Sequence, residues 1–185
     1  MQAWEFDFTG KCSALTEFLL NKEKDIIESF KQEDTQFFIP TTDRFYQYNT
    51  FTLVNPEVNK LYKNIYQAFA QIKDELNLKD EFYIQSWYNV SRDTQLDWHT
   101  HYPYGINSFH GFLAVDTEPS FTEYQVDNEI LRISNKNGRI FLAESGYSHR
   151  VLGWNEARPR VSVAWDIVTA ETIEKNYEIN HWIPI

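Results

Sequence analysis

From Glu81 to Val168 the chain is built almost wholly of short β-branched and aromatic segments divided by turn formers. EFYIQSWYNV, SFHGFLAV, FTEYQV, EILRIS, GRIFLAE and RVSVAWDIV all have strand length and strand composition. A run of this kind has few ways to bury its apolar faces. It predicts a sandwich or barrel of jelly-roll type, with NKNG (Asn135 to Gly138) as a tight hairpin turn.

Helical periodicity is confined to the first half. Leu15, Phe18, Leu19, Ile26, Ile27 and Phe30 recur at helical spacing with charges between them. A second helix begins with Asn55 as N-cap and Pro56 in the first helical position, and Val58, Leu61, Ile65, Ala68, Ile72 and Leu76 form its apolar stripe. Between the two, FFIPTTDRFYQYNTF is aromatic and broken by proline, and predicts loop with a short strand. No linker composition and no internal repeat divides the chain. The expected class is α+β: one domain over 1–185, helical over 10–78, with a β core over 81–168 and a C-terminal tail over 169–185.

Composition narrows the function. Of 185 residues 42% are hydrophobic and 17% aromatic, which excludes a disordered chain. Seventeen Lys and Arg against 27 Asp and Glu give a formal charge of −10, poorly matched to a phosphate backbone, and no strong basic patch offsets it. Cys12 is the only cysteine, so no intrachain disulfide can form. The start, MQAWEFDFTG, lacks the pattern of a secretory signal, and no apolar run reaches membrane-spanning length. These features predict a soluble cytoplasmic protein without nucleic-acid or membrane partners.

The chemistry concentrates in histidine. Two of the five, His99 and His101, stand one residue apart in QLDWHTHYPYG. On an extended backbone Asp97, His99 and His101 share a face, with neighbouring Cα atoms roughly 6.5–7 Å apart. Such a pair suits a metal but needs a third ligand. His181 sits in the C-terminal tail, and His110 falls in a core strand where a hydrogen-bonded core histidine is expected. His149 follows a strand and a Gly-containing turn, which makes it the distal candidate. Eleven residues on, Arg160 opens the alternating set Arg160, Ser162, Ala164, Asp166. Arginine and serine on one strand face form a donor set for a carboxylate. Arg158 competes, but Pro159 separates it from the strand. A plain salt bridge from Arg160 to Asp166 or Glu144 is the structural alternative.

In this order, HTH, GRIFLAESGYSHRV and RPRVSVAWD resemble the iron(II)/2-oxoglutarate-dependent oxygenases, whose pattern is H-x-D or H-x-H, a distal histidine, and R-x-S about ten residues later. IQSWYNVSRDTQLDWHTH further resembles a subgroup of small bacterial and phage oxygenases in which H-x-H replaces H-x-D. The likeness covers roughly Glu81 to Val168. It implies a double-stranded β-helix with iron(II) held by His99, His101 and His149. It also implies that Arg160, assisted by Ser162, binds the distal carboxylate of 2-oxoglutarate, whose decarboxylation to succinate drives hydroxylation of a bound substrate. The substrate is either a small molecule or a protein side chain, and a phage-infected cell is one setting for the enzyme.

Two departures stand out. A carboxylate is usual where His101 stands, and Asp97 could supply it or could orient an imidazole instead. The strand after H-x-H reads FHGFLAV, without the family's tyrosines; Gln85, Trp87 and Tyr88 are candidate pocket residues. Two rival classes fit the same residues. One is a cupin-like three-histidine iron dioxygenase that does not use 2-oxoglutarate. The other is a non-enzymatic metal-binding or assembly module.

Overall fold

The computed structural model describes residues 1–29, 47–92, 96–101, 107–176 and 181–185. Phe30, most of the aromatic segment between the helices, and the aromatic stretch 102–105 after His101 lie outside the described residues. The elements run β1 (Ala3–Asp7), α1 (Cys12–Ser29), a 3-10 turn (Thr50–Thr52), α2 (Pro56–Glu75), β2 (Phe82–Ser91), β3 (Leu96–His99), β4 (Phe109–Asp116), β5 (Phe121–Val126), β6 (Glu129–Ser134), β7 (Arg139–Glu144), β8 (His149–Leu152), β9 (Arg160–Thr169), α3 (Ala170–Asn176) and β10 (Ile183–Pro184).

All ladders are antiparallel, and they form two sheets. The larger has the order β1-β7-β4-β9-β2-β10 and the smaller β3-β8-β5-β6. Strand β9 is central, paired with β2 on one side and β4 on the other, and every one of its ten residues is buried. Its side chains therefore divide between two buried faces. On one, Phe82 and Phe109 from the flanking strands meet Phe69 of α2 edge-on at 5.0 and 5.3 Å. On the other stand Arg160, Ser162, Ala164 and Asp166, looking at the smaller sheet.

Helix α2 forms as its sequence dictates. The Asn55 side chain accepts the backbone N–H of Glu57 at 2.8 Å, Pro56 occupies the first turn, and Val58, Leu61, Ile65, Ala68 and Ile72 are buried. Each larger apolar side chain on that stripe contributes about 1.5–3 kcal/mol over exposure. In α1, Leu15, Leu19 and Ile26 are buried, and Glu23 joins them because Arg92 grips both its carboxylate oxygens at 2.7 and 2.6 Å. No helix among the described residues is long and apolar enough to cross a membrane.

One feature differs from the sequence expectation, and two more elements stand where none was expected. NKNG closes no hairpin: β6 pairs with β5 while β7 pairs with β4 and β1, so the turn carries the chain from one sheet to the other. The tight hairpin is instead Asp127-Asn128, with Val126 opposite Glu129 and Asp127 at φ 55°. Ahead of the helical range 10–78, Ala3–Asp7 forms edge strand β1 against β7. In the tail, α3 and the short β10 follow the core, and β10 adds to the edge of β2.

Candidate metal and anion site

His99 ends β3, and His149 opens β8 directly opposite it in the ladder. His101 lies just past the end of β3. The ligand atoms of His99, His101 and His149 all lie within 4.8 Å of one another. Ring centroids are 4.2 Å apart for His99–His149 and 5.2 Å for both His99–His101 and His101–His149. Trp87 of β2 stacks on His101 at 5.3 Å, and Tyr124 of β5 stacks on His149 at 5.1 Å. The two sheets thus meet around the imidazoles.

Hydrogen bonds set the tautomers. Nδ1 of His99 stands 2.9 Å from the carbonyl of Asp97, and Nδ1 of His149 stands 3.1 Å from that of Tyr147. A carbonyl can only accept, so each Nδ1 carries the proton and each Nε2 keeps its lone pair. His101 uses a side chain instead, with Nδ1 3.0 Å from Oδ2 of Asp166. All three rings thus spend Nδ1 on a protein acceptor, which leaves Nε2 as the nitrogen for a metal.

Electrostatics favour neutral rings. Burial, then the neighbouring imidazoles, pushes His149 far below the usual histidine range. Burial also lowers His99, and it brings His110 down to about 4. Asp166 is the anion of the cluster. Burial alone would raise its carboxyl, but His101 and His110 outweigh that and hold it at about 2.

His110 and Asp166 were not legible as site residues. The expected hydrogen-bonded core histidine is present: His110 is buried, with Nδ1 3.3 Å from Oδ1 of Asp166. Its ring, however, also stacks on His101 at 4.5 Å and on His149 at 4.6 Å. His101, His110 and Asp166 make a second group whose ligand atoms lie within 4.8 Å. Its contacts are hydrogen-bond lengths from Nδ1, so this group reads as the support of the first. Asp97 does not enter either group. The β3–β8 register shifts between Leu96 and His99, which breaks the simple alternation, and the Asp97 side chain is exposed; only its carbonyl takes part.

The second part of the site is a set of donors. Arg160 is 6% exposed and forms no ion pair among the described residues. Its Nε donates to Ser120 at 3.0 Å and its Nη1 to Ser162 at 3.2 Å. Burial drops the guanidinium to about 10. Ser162 also accepts from Asn89 at 3.3 Å, and Ser120 from Asn135 at 3.0 Å. Each hydroxyl thus takes two N–H donors, so each has its own proton left to give. Among the described residues the group offers protons and holds no anionic acceptor. Arg158 is elsewhere: half exposed, it pairs with Asp116 at 3.1 Å. Neither Asp166 nor Glu144 balances Arg160, since Asp166 serves the histidines and Glu144 accepts the backbone N–H of Gln2 at 2.8 Å.

Of the pocket candidates, Trp87 contacts His101, while Tyr88 faces the opposite side of β2 and meets Tyr48 edge-on at 5.9 Å. Gln85 shares the face of Trp87 by alternation, and its amide donates to the Tyr48 carbonyl. His181 is exposed, and its carbonyl accepts from Asn49 at 2.7 Å.

No protein-family model matches the chain, and no curated protein matches it in sequence. Solved structures resemble it in fold. A prolyl hydroxylase from Trichoplax adhaerens, in complex with a hypoxia inducible factor peptide fragment, aligns with a TM-score of 0.65 at 11% identity, covering 91% of this chain and 84% of that one. A Pseudomonas putida prolyl-4-hydroxylase aligns at 0.59 and 12% identity, covering 91% and 86%. The non-haem monooxygenase ThoJ, as a nickel complex, aligns at 0.55 and 13%, covering 89% and 72%. At these identities the likeness is one of fold: two antiparallel sheets with flanking helices, an arrangement that non-haem oxygenases use.

Proposed function

We propose that the protein is an iron(II)- and 2-oxoglutarate-dependent oxygenase on a double-stranded β-helix. The observation that carries this reading is the pairing of the two half-sites. Three clustered histidines, one of them bonded to Asp166, stand against the same face of β9 as Arg160, a buried arginine that pairs with no acid among the described residues. The residues fit both groups. Three imidazoles suit a divalent first-row metal, and the Arg160 donor set calls for a carboxylate. Iron held by His99, His101 and His149 would supply the oxygen chemistry of hydroxylation, with 2-oxoglutarate decarboxylated to succinate.

The protein's own part is positioning. Arg160 grips the distal carboxylate of the keto acid, Ser162 and Ser120 donate their remaining protons to it, and Asn89 and Asn135 hold the two hydroxyls in place. In a buried setting such charge-assisted bonds are strong, because no water competes for them. Trp87 and Tyr124 pack the imidazole faces and keep solvent off them. The substrate is a small molecule or a protein side chain.

A second reading, a three-histidine iron dioxygenase that takes an acidic substrate directly on Arg160, is favoured by one observation: the triad His99, His101, His149 holds no carboxylate. Incubating iron-loaded protein with 2-oxoglutarate and oxygen separates the two. Succinate in amounts matching oxygen consumed supports the proposal. Iron-loaded protein that consumes no 2-oxoglutarate, with or without candidate substrates, rejects it in favour of the second reading.

A further inference from the structure

We propose that Asp166 is a positioning residue for the metal centre, fixing His101 through the ring nitrogen opposite the ligating one, while His110 fixes Asp166. The inference rests on reading His99, His101 and His149 as the ligands.

The three imidazoles are anchored unequally. His99 and His149 each bond to a carbonyl two residues earlier, so the local backbone orients them. His101 lies past the end of β3, and its Nδ1 bonds to no backbone carbonyl among the described residues; Ser145 donates to its carbonyl at 3.1 Å. Its ring is held instead by Oδ2 of Asp166, from the opposite sheet. Asp166 is in turn pinned. It is 3% exposed on the central strand, and His110 stands directly opposite it in the β4–β9 ladder and takes its other oxygen. Each carboxylate oxygen thus has its own imidazole proton. This gives the all-histidine triad a negative charge at one remove. It also forbids the flipped His101 ring, which would set an Nε2–H where a lone pair is needed.

Cobalt(II) titration of apoprotein, with nitrogen NMR of the imidazoles in the zinc(II) form, tests the role. Asp166→Asn offers only one acceptor oxygen to two N–H donors. It is expected to weaken cobalt binding about 10–100-fold and to shift the His101 signals away from the pure Nδ1–H pattern. His99 and His149 should keep theirs. His110→Gln, which leaves Asp166 charged but loosely held, should cost about tenfold or less and covers the case in which Asp166→Asn does not fold. Wild-type cobalt affinity with an unchanged His101 tautomer in either folded variant overturns the proposal. Two cobalt ions in the wild type and one in Asp166→Asn also overturn it, by making Asp166 a ligand. A wild type that binds no cobalt refutes the ligand assignment itself, and this inference with it.

Discussion

His99 and His149 face each other across the β3–β8 ladder with their ring centroids 4.2 Å apart, each anchored by Nδ1 to a carbonyl two residues upstream. Cross-strand neighbours fixed in this way need no rearrangement to share a ligand, so their juxtaposition is a property of the fold itself. His149→Ala should therefore abolish metal binding, a larger loss than the roughly 10–100-fold that removing an outer partner costs. Its price in stability should be modest, about 1–3 kcal/mol. Metal titration and chemical denaturation of the same sample check both. Unimpaired metal binding would remove His149 from the ligand set.

Arg160 carries its charge in a buried place and pairs with no acid among the described residues, and such burial costs stability. Arg160→Met keeps most of the volume and removes the charge. The variant should melt at or above the wild-type temperature in the absence of ligand, as with other buried charges replaced by apolar groups. A fall of several degrees would mean that Arg160 is balanced by a partner and is structural.

Ser120 is the donor that sequence reasoning missed. It accepts from Arg160 and Asn135 and keeps one proton free. Ser120→Ala should weaken 2-oxoglutarate binding by about 1–3 kcal/mol, the scale of one hydrogen bond to a charged group, and leave metal affinity unchanged. Calorimetry of both titrations tests this; equal losses of metal and keto acid would point to general disruption.

Acid should destabilise the apoprotein over a defined window. His110 sits at about 4 in the fold against about 6.5 in the unfolded chain. Between these values the unfolded chain binds more protons than the native one, so stability falls as pH drops. The contribution is complete above about pH 6.5 and lost on descent towards 4, on the order of 3 kcal/mol. His99 and His149, also lowered by burial, act with the same sign. Asp166, held at about 2, adds a further loss only below about pH 4. Denaturation at a series of pH values should show a shallower slope for His110→Gln; identical slopes would place the titration elsewhere.

What could be read in advance was what is local. The Asn55–Pro56 start of α2 and the strands at Phe121–Val126 and Glu129–Ser134 follow from nearest-neighbour chemistry. Pairing partners are not local. NKNG has the residues of a hairpin turn but serves as a crossover, because β7 finds a better-covered place between β1 and β4. The alternation Arg160, Ser162, Ala164, Asp166 put Asp166 on the site face, yet nothing in it foretold that the β4–β9 register would set His110 opposite. Likewise, the bulge at β3 that turns Asp97 outward depends on β8. Residues that act through their own strand were legible; those that act through a neighbour were not.

The most direct measurement is metal-dependent binding of 2-oxoglutarate, followed optically on anaerobic iron(II)-loaded protein. The expected result is one iron per chain, saturable 2-oxoglutarate binding that vanishes without iron, and a loss of about 2–5 kcal/mol in Arg160→Met with iron binding retained. Wild-type protein that holds iron through its histidines but fails to bind 2-oxoglutarate at millimolar concentration would contradict it.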